Sequence, residues 1–386
     1  MTTFYVVAFS VLTTLNVLCC LWLLRRPGPM NLGRIAAVAV LVLLLNGVEI
    51  LALQAFRLSW FGLAHIAWLD LAVVVPCCAL GALYSRWSGR QVSGPAIVVA
   101  VAGLAMIPIA VQATFLTPFE VILERVEIPL LARHGGSQPL RIGVLADIQA
   151  TSIGEHERQA VDRLMAEKPD VILIPGDLYQ GPVQQFDEHL PDFQELLQRL
   201  HAPGGVWAVR GNAEYQDGLP RLLEGSQIHL LENAVARFTV GDRKVALLGM
   251  ADWAGLSRQG WQFTPKIVER FAERPPTDEI RLLLCHRPGW VLTLPEESYI
   301  DLTVAGHTHG GQVSFPFIGP PLVLSQLPND ICAGGLSEVE GQRLYISRGL
   351  GMERLQAPRV RFGVKPEVTL LTLRSPELTV NTADDP

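Results

Sequence analysis

The sequence predicts a layered α/β domain with a two-sheet core, preceded by an all-α bundle of four transmembrane helices, and three observations carry that prediction. Charged residues nearly vanish before residue 119: six arginines, Glu49 and Asp70 are all there are, which leaves 25 basic and 35 acidic side chains for the rest. Within that first part, four long apolar runs follow one another. Beyond it, short β-type runs alternate with amphipathic stretches, the pattern of strands and helices packed in layers.

The apolar runs cover residues 4–24, 35–56, 61–84 and 95–116. Each is long enough to cross a hydrocarbon core of roughly 30 Å at about 1.5 Å per residue. Buried helices of a soluble protein would have to supply four almost uncharged segments in succession, so the runs are read as membrane spans. The first is not read as a cleaved signal peptide, because its positive charges, Arg25 and Arg26, follow it. Arg25, Arg26 and Arg34 flank the first connection and Arg86 and Arg90 lie in the third, against Arg57 alone in the second. The positive-inside bias then puts the first and third connections in the cytoplasm and everything past the fourth helix outside. The expectation is a multi-pass protein of the cytoplasmic membrane with an extracytoplasmic domain. Cys285 and Cys332 are the two cysteines outside the spans, too few for a disulfide framework and silent on the compartment. The acidic balance of the second part argues against nucleic acid as a partner, since a phosphate backbone is met by a basic face.

Taken in order, residues 1–118 form the membrane region and residues 119–139 a linker with one short strand at 121–128, where apolar and charged residues alternate. Residues 140–386 form the α/β domain. Residues 133–137 read as a turn. Strands are expected at 141–146, 171–174, 206–209, 245–248, 282–285, 302–305, 344–346 and 368–371, and helices at 155–167 and 186–200. A proline-rich loop at 315–328 carries Phe315, Phe317 and Ile318. It either plugs the core or touches lipid or an acyl chain, in which case the substrate is a phospholipid or a polyprenyl-linked headgroup.

The chemistry sits at strand ends. The strand at 142–146 runs into Asp147-Ile148-Gln149, and the next into Gly176-Asp177. The third ends in Gly211-Asn212-Ala213-Glu214, another in His286, and the last in Gly306-His307-Thr308-His309-Gly310-Gly311-Gln312. Loops at the ends of sheet strands are where α/β domains build their sites. Imidazoles are common metal ligands, and neighbouring glycines let the backbone approach an ion or a phosphate. One Asp after a strand is more often a helix cap, and one Asn after Gly a turn residue. Five such ends in this order are hard to explain as caps and turns.

The order of these blocks resembles the calcineurin-like metallophosphoesterase family, whose pattern is D-x-H, G-D, G-N-H-E, a lone H and G-H-x-H. Here the blocks read DIQ, GDLYQG, GNAE, LCHRP and GHTHGGQ. The resemblance spans about residues 140–373 and is nearest to a bacterial branch with GHTHGGQ and a later SRGLG, here Ser347 to Gly351, often behind membrane segments. It implies an αββα sandwich holding two divalent metal ions, with Mn2+ the first expectation and Mg2+, Zn2+ or Fe as alternatives. By matched position, one ion would be held by Asp147, Gln149, Asp177 and His309, and the other by Asp177, Asn212, His286 and His307. Asp177 would bridge them, and a hydroxide bridging the metals would attack phosphorus. The implied activity is hydrolysis of a phosphoester or pyrophosphate bond, on a lipid-linked or other cell-envelope small molecule.

Two blocks depart from the pattern. Gln149 stands where the family usually has His, replacing an imidazole nitrogen with an amide oxygen, which favours Mn2+ or Mg2+ over Zn2+. Ala213 stands where the usual His contacts the phosphate and can protonate the leaving oxygen, a contribution of about 10²- to 10⁴-fold. Three readings follow from Ala213. The substrate has a leaving group of low basicity, as in a pyrophosphate; or another residue serves as the acid, with His156 and Tyr215 the nearby candidates in sequence; or the domain is a metal-binding pseudoenzyme acting as a membrane sensor or interaction domain.

Overall fold

The computed structural model describes residues 2–131, 134, 136–214, 217–252, 266–274 and 278–375, and its chain divides into two compact units. The first comprises Met1–Leu116 with Glu353–Val360, the second Thr117–Met352 with Arg361–Pro386.

Four helical spans make the first unit, at Phe4–Arg25, Leu32–Gln54, Trp60–Trp87 and Gly94–Phe119, each long and apolar enough to cross a membrane. Helix α1 (Thr2–Arg25) and α2 (Leu32–Gln54) are continuous. The third span is α3 (Trp60–Leu69) and α4 (Val75–Trp87) joined by a π-helical turn at Asp70–Val74. Pro76 explains that turn, because it has no N–H to donate back along the helix and the preceding backbone must widen around it. In the fourth span, Pro108 follows the break between α5 (Gly94–Leu104) and α6 (Met106–Val111) in the same way. Asn31, Ser59 and Ser93 cap α2, α3 and α5, each accepting a hydrogen bond from the backbone three residues on. Inside the bundle, Asn16 donates to Asn46 at 3.2 Å and Asn46 to Asp70 at 2.5 Å, so these polar groups satisfy one another. Gln356 closes the mouth of the α2–α3 turn: its side-chain oxygen accepts from Ser59 N at 2.7 Å and Ser59 Oγ at 2.9 Å, and its carbonyl meets His65 Nδ1 at 3.1 Å.

The second unit packs two six-stranded sheets. The strands are β1 (Ile122–Pro129), β2 (Leu140–Val144), β3 (Val171–Ile174), β4 (Val206–Ala208), β5 (Ile228–Leu230), β6 (Ala234–Val240), β7 (Arg243–Met250), β8 (Ile280–Cys285), β9 (Leu302–Ala305), β10 (Gly335–Val339), β11 (Gln342–Ile346) and β12 (Glu367–Arg374). The first sheet runs β1-β12-β2-β3-β4-β5 and the second β10-β11-β9-β8-β7-β6. The central strands are parallel, which makes them apolar on both faces. Strand β3, Val-Ile-Leu-Ile, shows why: Val171 and Leu173 point between the sheets with Ile142, Leu282 and Val304, while Ile172 and Ile174 pack under helices. Those helices are α7 (Glu155–Ala166), α8 (Phe186–Gln198) and α9 (Gly218–Leu223), through Leu164, Phe193 and Leu222. On the second sheet Leu248 and Leu283 pack with Phe271 of α10 (Lys266–Ala272). The order of layers is therefore helix, sheet, sheet, helix.

The stretch read from the sequence as a linker supplies β1, which pairs in parallel with β12 along its whole length, so the second unit already begins at Thr117. Charged Glu124, Arg125 and Glu127 keep this edge strand from pairing further. Strands β5, β6 and β10 and helices α9 and α10 go beyond the sequence reading. The proline-rich loop is divided: Leu327 is buried in the core outside the second sheet with Val323 packed against it, whereas Phe317 is fully exposed and Ile318 is 79% exposed. Of the turn expected at 133–137, residues 133 and 135 lie outside the described residues.

Candidate metal centre

The loops after β2, β3 and β4 of the first sheet and after β8 and β9 of the second converge on one point. Asp147, Asp177 and His286, all fully buried, place one ligand atom each within 4.8 Å of one another. The backbone builds this by local strain. Asp147, Gln149, Asp177, His307, His309 and Gln312 all have φ between 42° and 73°. Non-glycine residues in the left-handed region cost on the order of 1–3 kcal/mol each where they are strained, and they persist where the surrounding fold over-determines them. Here the hydrogen bonds do so: Asp147 N donates to Gly176 O at 3.2 Å, Gln149 N to Asp177 O at 2.8 Å, and His307 N to Asp147 Oδ2 at 2.9 Å. Glycine is required where carboxylates touch the backbone. A Cβ on Gly211 would come within 2.1 Å of Asp177 Oδ1, and one on Gly306 within 2.7 Å of Asp147 Oδ2.

Hydrogen bonds also fix the state of the imidazole at the centre. His286 Nδ1 lies 2.8 Å from the Pro175 carbonyl, which can only accept, so Nδ1 carries the proton and Nε2 presents its lone pair. That lone pair faces Asn212 Oδ1 at 3.0 Å, His307 Nδ1 at 3.1 Å and Asp177 Oδ2 at 3.4 Å. Asp177 Oδ2 also takes the Gln149 side-chain nitrogen at 3.3 Å, so a cation would be met by the Gln149 carbonyl oxygen. At the far end of the same turn as His307, the ring of His309 is buried, and its Nδ1 has no hydrogen-bond partner among the described residues.

Electrostatics sharpen the point. Burial, and then the charge of Asp177, raise the Asp147 carboxyl well above its usual range. Burial holds His286 below the ordinary imidazole value and His307 and His309 well below it. Loss of solvent around its carboxyl, and then the charge of Asp177, push half-buried Glu214 up to about 7. A divalent cation reverses this logic, since it favours ionised carboxylates and neutral imidazoles together. Oxygen and nitrogen lone pairs that face one another without protons between them are a donor set that fits such ions.

Of the seven residues expected as ligands, Asp147, Gln149, Asp177, Asn212, His286 and His307 are linked by these contacts, and His309 lies two residues beyond His307 in the same turn. The structure adds residues that the sequence reading did not assign. Glu214 accepts from Gly211 N at 2.8 Å and from Leu178 N, tying the β3 and β4 loops together. Its place in GNAE was a usable signal. Arg361, fully buried, donates from Nη2 to Arg348 O at 2.8 Å and Gly349 O at 3.0 Å, and from Nε to Gly351 O at 3.1 Å, so it clamps the SRGLG loop beneath Asp147. Nothing local in the sequence marks it. Ala213 keeps only a backbone task, donating from N to Asp177 Oδ1 at 2.8 Å. Of the two candidate acids, His156 lies on the first turn of α7, with Nε2 3.5 Å from the Leu350 carbonyl and its ring 5.6 Å from that of Phe119. Tyr215 lies outside the described residues.

Residues 140–311 match the calcineurin-like phosphoesterase family. The metallophosphoesterase YkuE of Bacillus subtilis, itself uncharacterised, is 29% identical over 211 residues, covering 54% of this chain and 69% of its own. Phosphodiesterase YaeI of Escherichia coli is 29% identical over 269 residues, covering 66% of this chain and 88% of its own. Among solved structures, a dimetal phosphatase from Danio rerio aligns with 62% of this chain and 100% of its own at 15% identity and a TM-score of 0.36. The matched segment takes in all five polar blocks, from Asp147 to His309, and with them the strand ends that build the donor set. Residues 140–311 therefore carry a calcineurin-like phosphoesterase domain, set in sequence behind four helices apolar enough to span a membrane.

Proposed function

We propose that the chain hydrolyses a phosphoester or pyrophosphate bond of a lipid-linked or other cell-envelope substrate, using two divalent ions, with Mn2+ preferred. The observation that supports it best is the cluster around His286 Nε2, where two oxygens and a second imidazole nitrogen lie at 3.0–3.4 Å. Asp147, Gln149, Asp177 and His309 would hold one ion, and Asp177, Asn212, His286 and His307 the other. Asp177 suits the shared position, because its Oδ2 lies between Gln149 of the first set and His286 of the second. When bound, such ions supply a hydroxide at neutral pH and neutralise charge on the phosphoryl oxygens. Hard oxygens from two Asp, Gln149 and Asn212 outnumber the three imidazoles, which favours Mn2+ or Mg2+ over Zn2+.

The chain's own contribution is orientation. Pro175 fixes the His286 tautomer, Glu214 holds the Gly211–Ala213 backbone, and Arg361 fixes the loop under Asp147. Proton delivery to the leaving group is what Ala213 does not supply, so the substrate reading favours a leaving group of low basicity. Extracytoplasmic placement of the domain, from the arginine bias, puts envelope phosphates within reach. Topology has its own test: a C-terminal alkaline phosphatase fusion should be active, and an active cytoplasmic reporter in its place would reverse the orientation.

The second reading, a metal-binding pseudoenzyme acting as a sensor or interaction domain, draws on that same Ala213. Both are tested by assaying Mn2+-loaded wild type and Ala213→His on a monoester, a diester and a nucleotide diphosphate. The hydrolase reading expects turnover in wild type, with Ala213→His raising it most, up to about 10²-fold, for alkoxide leaving groups. No turnover of any substrate by either form would favour the pseudoenzyme. Ala213→His without effect on every substrate would mean that another side chain already acts as the acid.

A further inference from the structure

The loop after the ligand turn is a built hairpin with an apolar tip in water. Phe315 N donates to Gly319 O at 3.0 Å and Gly319 N to Phe315 O at 2.9 Å, which closes the hairpin at its neck. Phe317 sits at the tip with φ 66°, a left-handed conformation that a bulky residue adopts only when held there. The base is fixed as well: Ser314 N donates to Phe362 O at 2.8 Å and Phe362 N to Gln312 O at 2.9 Å, and the rings of Phe315 and Phe362 lie 6.0 Å apart. Phe317 and Ile318 are held out in this way, and Leu322 and Leu324 are exposed close by in sequence. Five of the ten exposed large apolar side chains described for the second unit fall within 315–324. No charged residue occurs between His309 and Asp330. A monomeric water-facing surface rarely concentrates apolar side chains in this way.

Chain length says what lies near. Gln356 is bonded to Ser59, in the short turn between Gln54 and Trp60 that joins the second and third spans, and that turn must lie at a membrane surface. Phe56 and Trp60 on either side are the aromatic residues typical of that depth. Phe362, the base of the hairpin, is six residues further along from Gln356, at most about 20 Å of extended chain. The hairpin is thus tethered close to the bilayer surface by covalent connection alone.

We propose that the hairpin tip, Phe317 and Ile318, docks into the interfacial region of the lipid bilayer, and so holds the ligand turn, whose His309 lies six residues before Phe315, at headgroup level. The occupant is the lipid surface rather than a protein partner, because an uncharged tip on a short tether meets lipid at high local concentration. This rests on the membrane reading of the four spans and is independent of the hydrolase reading.

The test uses the full chain in proteoliposomes of phosphatidylethanolamine and phosphatidylglycerol, with the photoreactive p-benzoyl-phenylalanine placed singly at Phe317, at Leu43 in α2, or at Val183, an exposed site of the second unit away from the hairpin in sequence. After illumination, mass spectrometry reads lipid adducts. The expected result is adducts at Phe317 and Leu43, each at least about tenfold above Val183. Adducts at Leu43 without adducts at Phe317, or adducts at Phe317 only to protein, whether a second copy or another chain, would overturn the docking. No adduct at Leu43 would overturn the membrane reading and the docking with it, whatever the domain hydrolyses.

Discussion

The two sheets of the second unit contribute different chemistry to one centre. The first sheet, through the ends of β2, β3 and β4, delivers oxygens: Asp147, Gln149, Asp177 and Asn212. The second, through the ends of β8 and β9, delivers nitrogens: His286, His307 and His309. Neither sheet alone carries a usable site. The lesson is that the centre is an interface property, assembled only when the apolar faces of Ile142, Val171 and Leu173 pack on those of Leu282 and Val304. Metal binding and sheet packing should therefore stabilise each other, since ions that bind only the assembled state add to its stability.

The largest effect should come from removing one donor from each side. Asp177→Asn and His286→Ala should each lower turnover with Mn2+ roughly 10³-fold or more, several kcal/mol of barrier. The double variant should be hardly worse than either single one, because residues that act as a unit are not additive. Additive losses in kcat/KM would mean that the sheets contribute independently. A smaller effect is expected at Glu214, which holds the β3 and β4 loops without itself being placed as a ligand. Glu214→Gln keeps the shape but weakens the bonds to Gly211 N and Leu178 N, and should reduce Mn2+ affinity about 10- to 100-fold by titration calorimetry. Unchanged affinity would show that this tie is not needed.

How much of this comparison was legible in the sequence follows from the range of the signals. Val171–Ile174 reads as a buried strand because both of its faces are apolar, and each block of candidate ligands follows such a run within a few residues. Strands β5 and β10 are short and sit at sheet edges, and β6 alternates around Arg237, so their pairing partners, not their own composition, define them. Arg361 works on carbonyls 10 to 13 residues away through a loop that has no periodicity. Glu353–Val360 groups with the helices, and its Gln356 bonds to Ser59 and His65 nearly 300 residues back, which no local pattern reveals.

The smallest expected effect is on pH dependence, and the two sheets give opposite signs. In metal-free protein, buried His286, His307 and His309 have lowered pKa values. The unfolded chain takes up protons there that the folded chain refuses, so stability from these groups is present above about pH 6.5 and is lost as pH falls. Asp147 is raised, so the folded chain keeps a proton that the unfolded chain releases, and its contribution declines as pH rises through the carboxylate range. A divalent ion needs both kinds of group deprotonated, so the rise in Tm on adding Mn2+ should grow as pH rises through the interval in which folded Asp147 gives up its proton. A shift that shrinks over that interval would contradict the donor assignment.

The most direct measurement is the metal content of the purified full chain after reconstitution with Mn2+ and removal of free ions, by elemental analysis, for wild type and Asp177→Asn. With Asp177 shared between the donors of the two sheets, wild type should hold close to two ions per chain, and Asp177→Asn should lose most of both. Wild type without stoichiometric metal, or an Asp177→Asn variant that still holds two ions, would contradict the assembled centre.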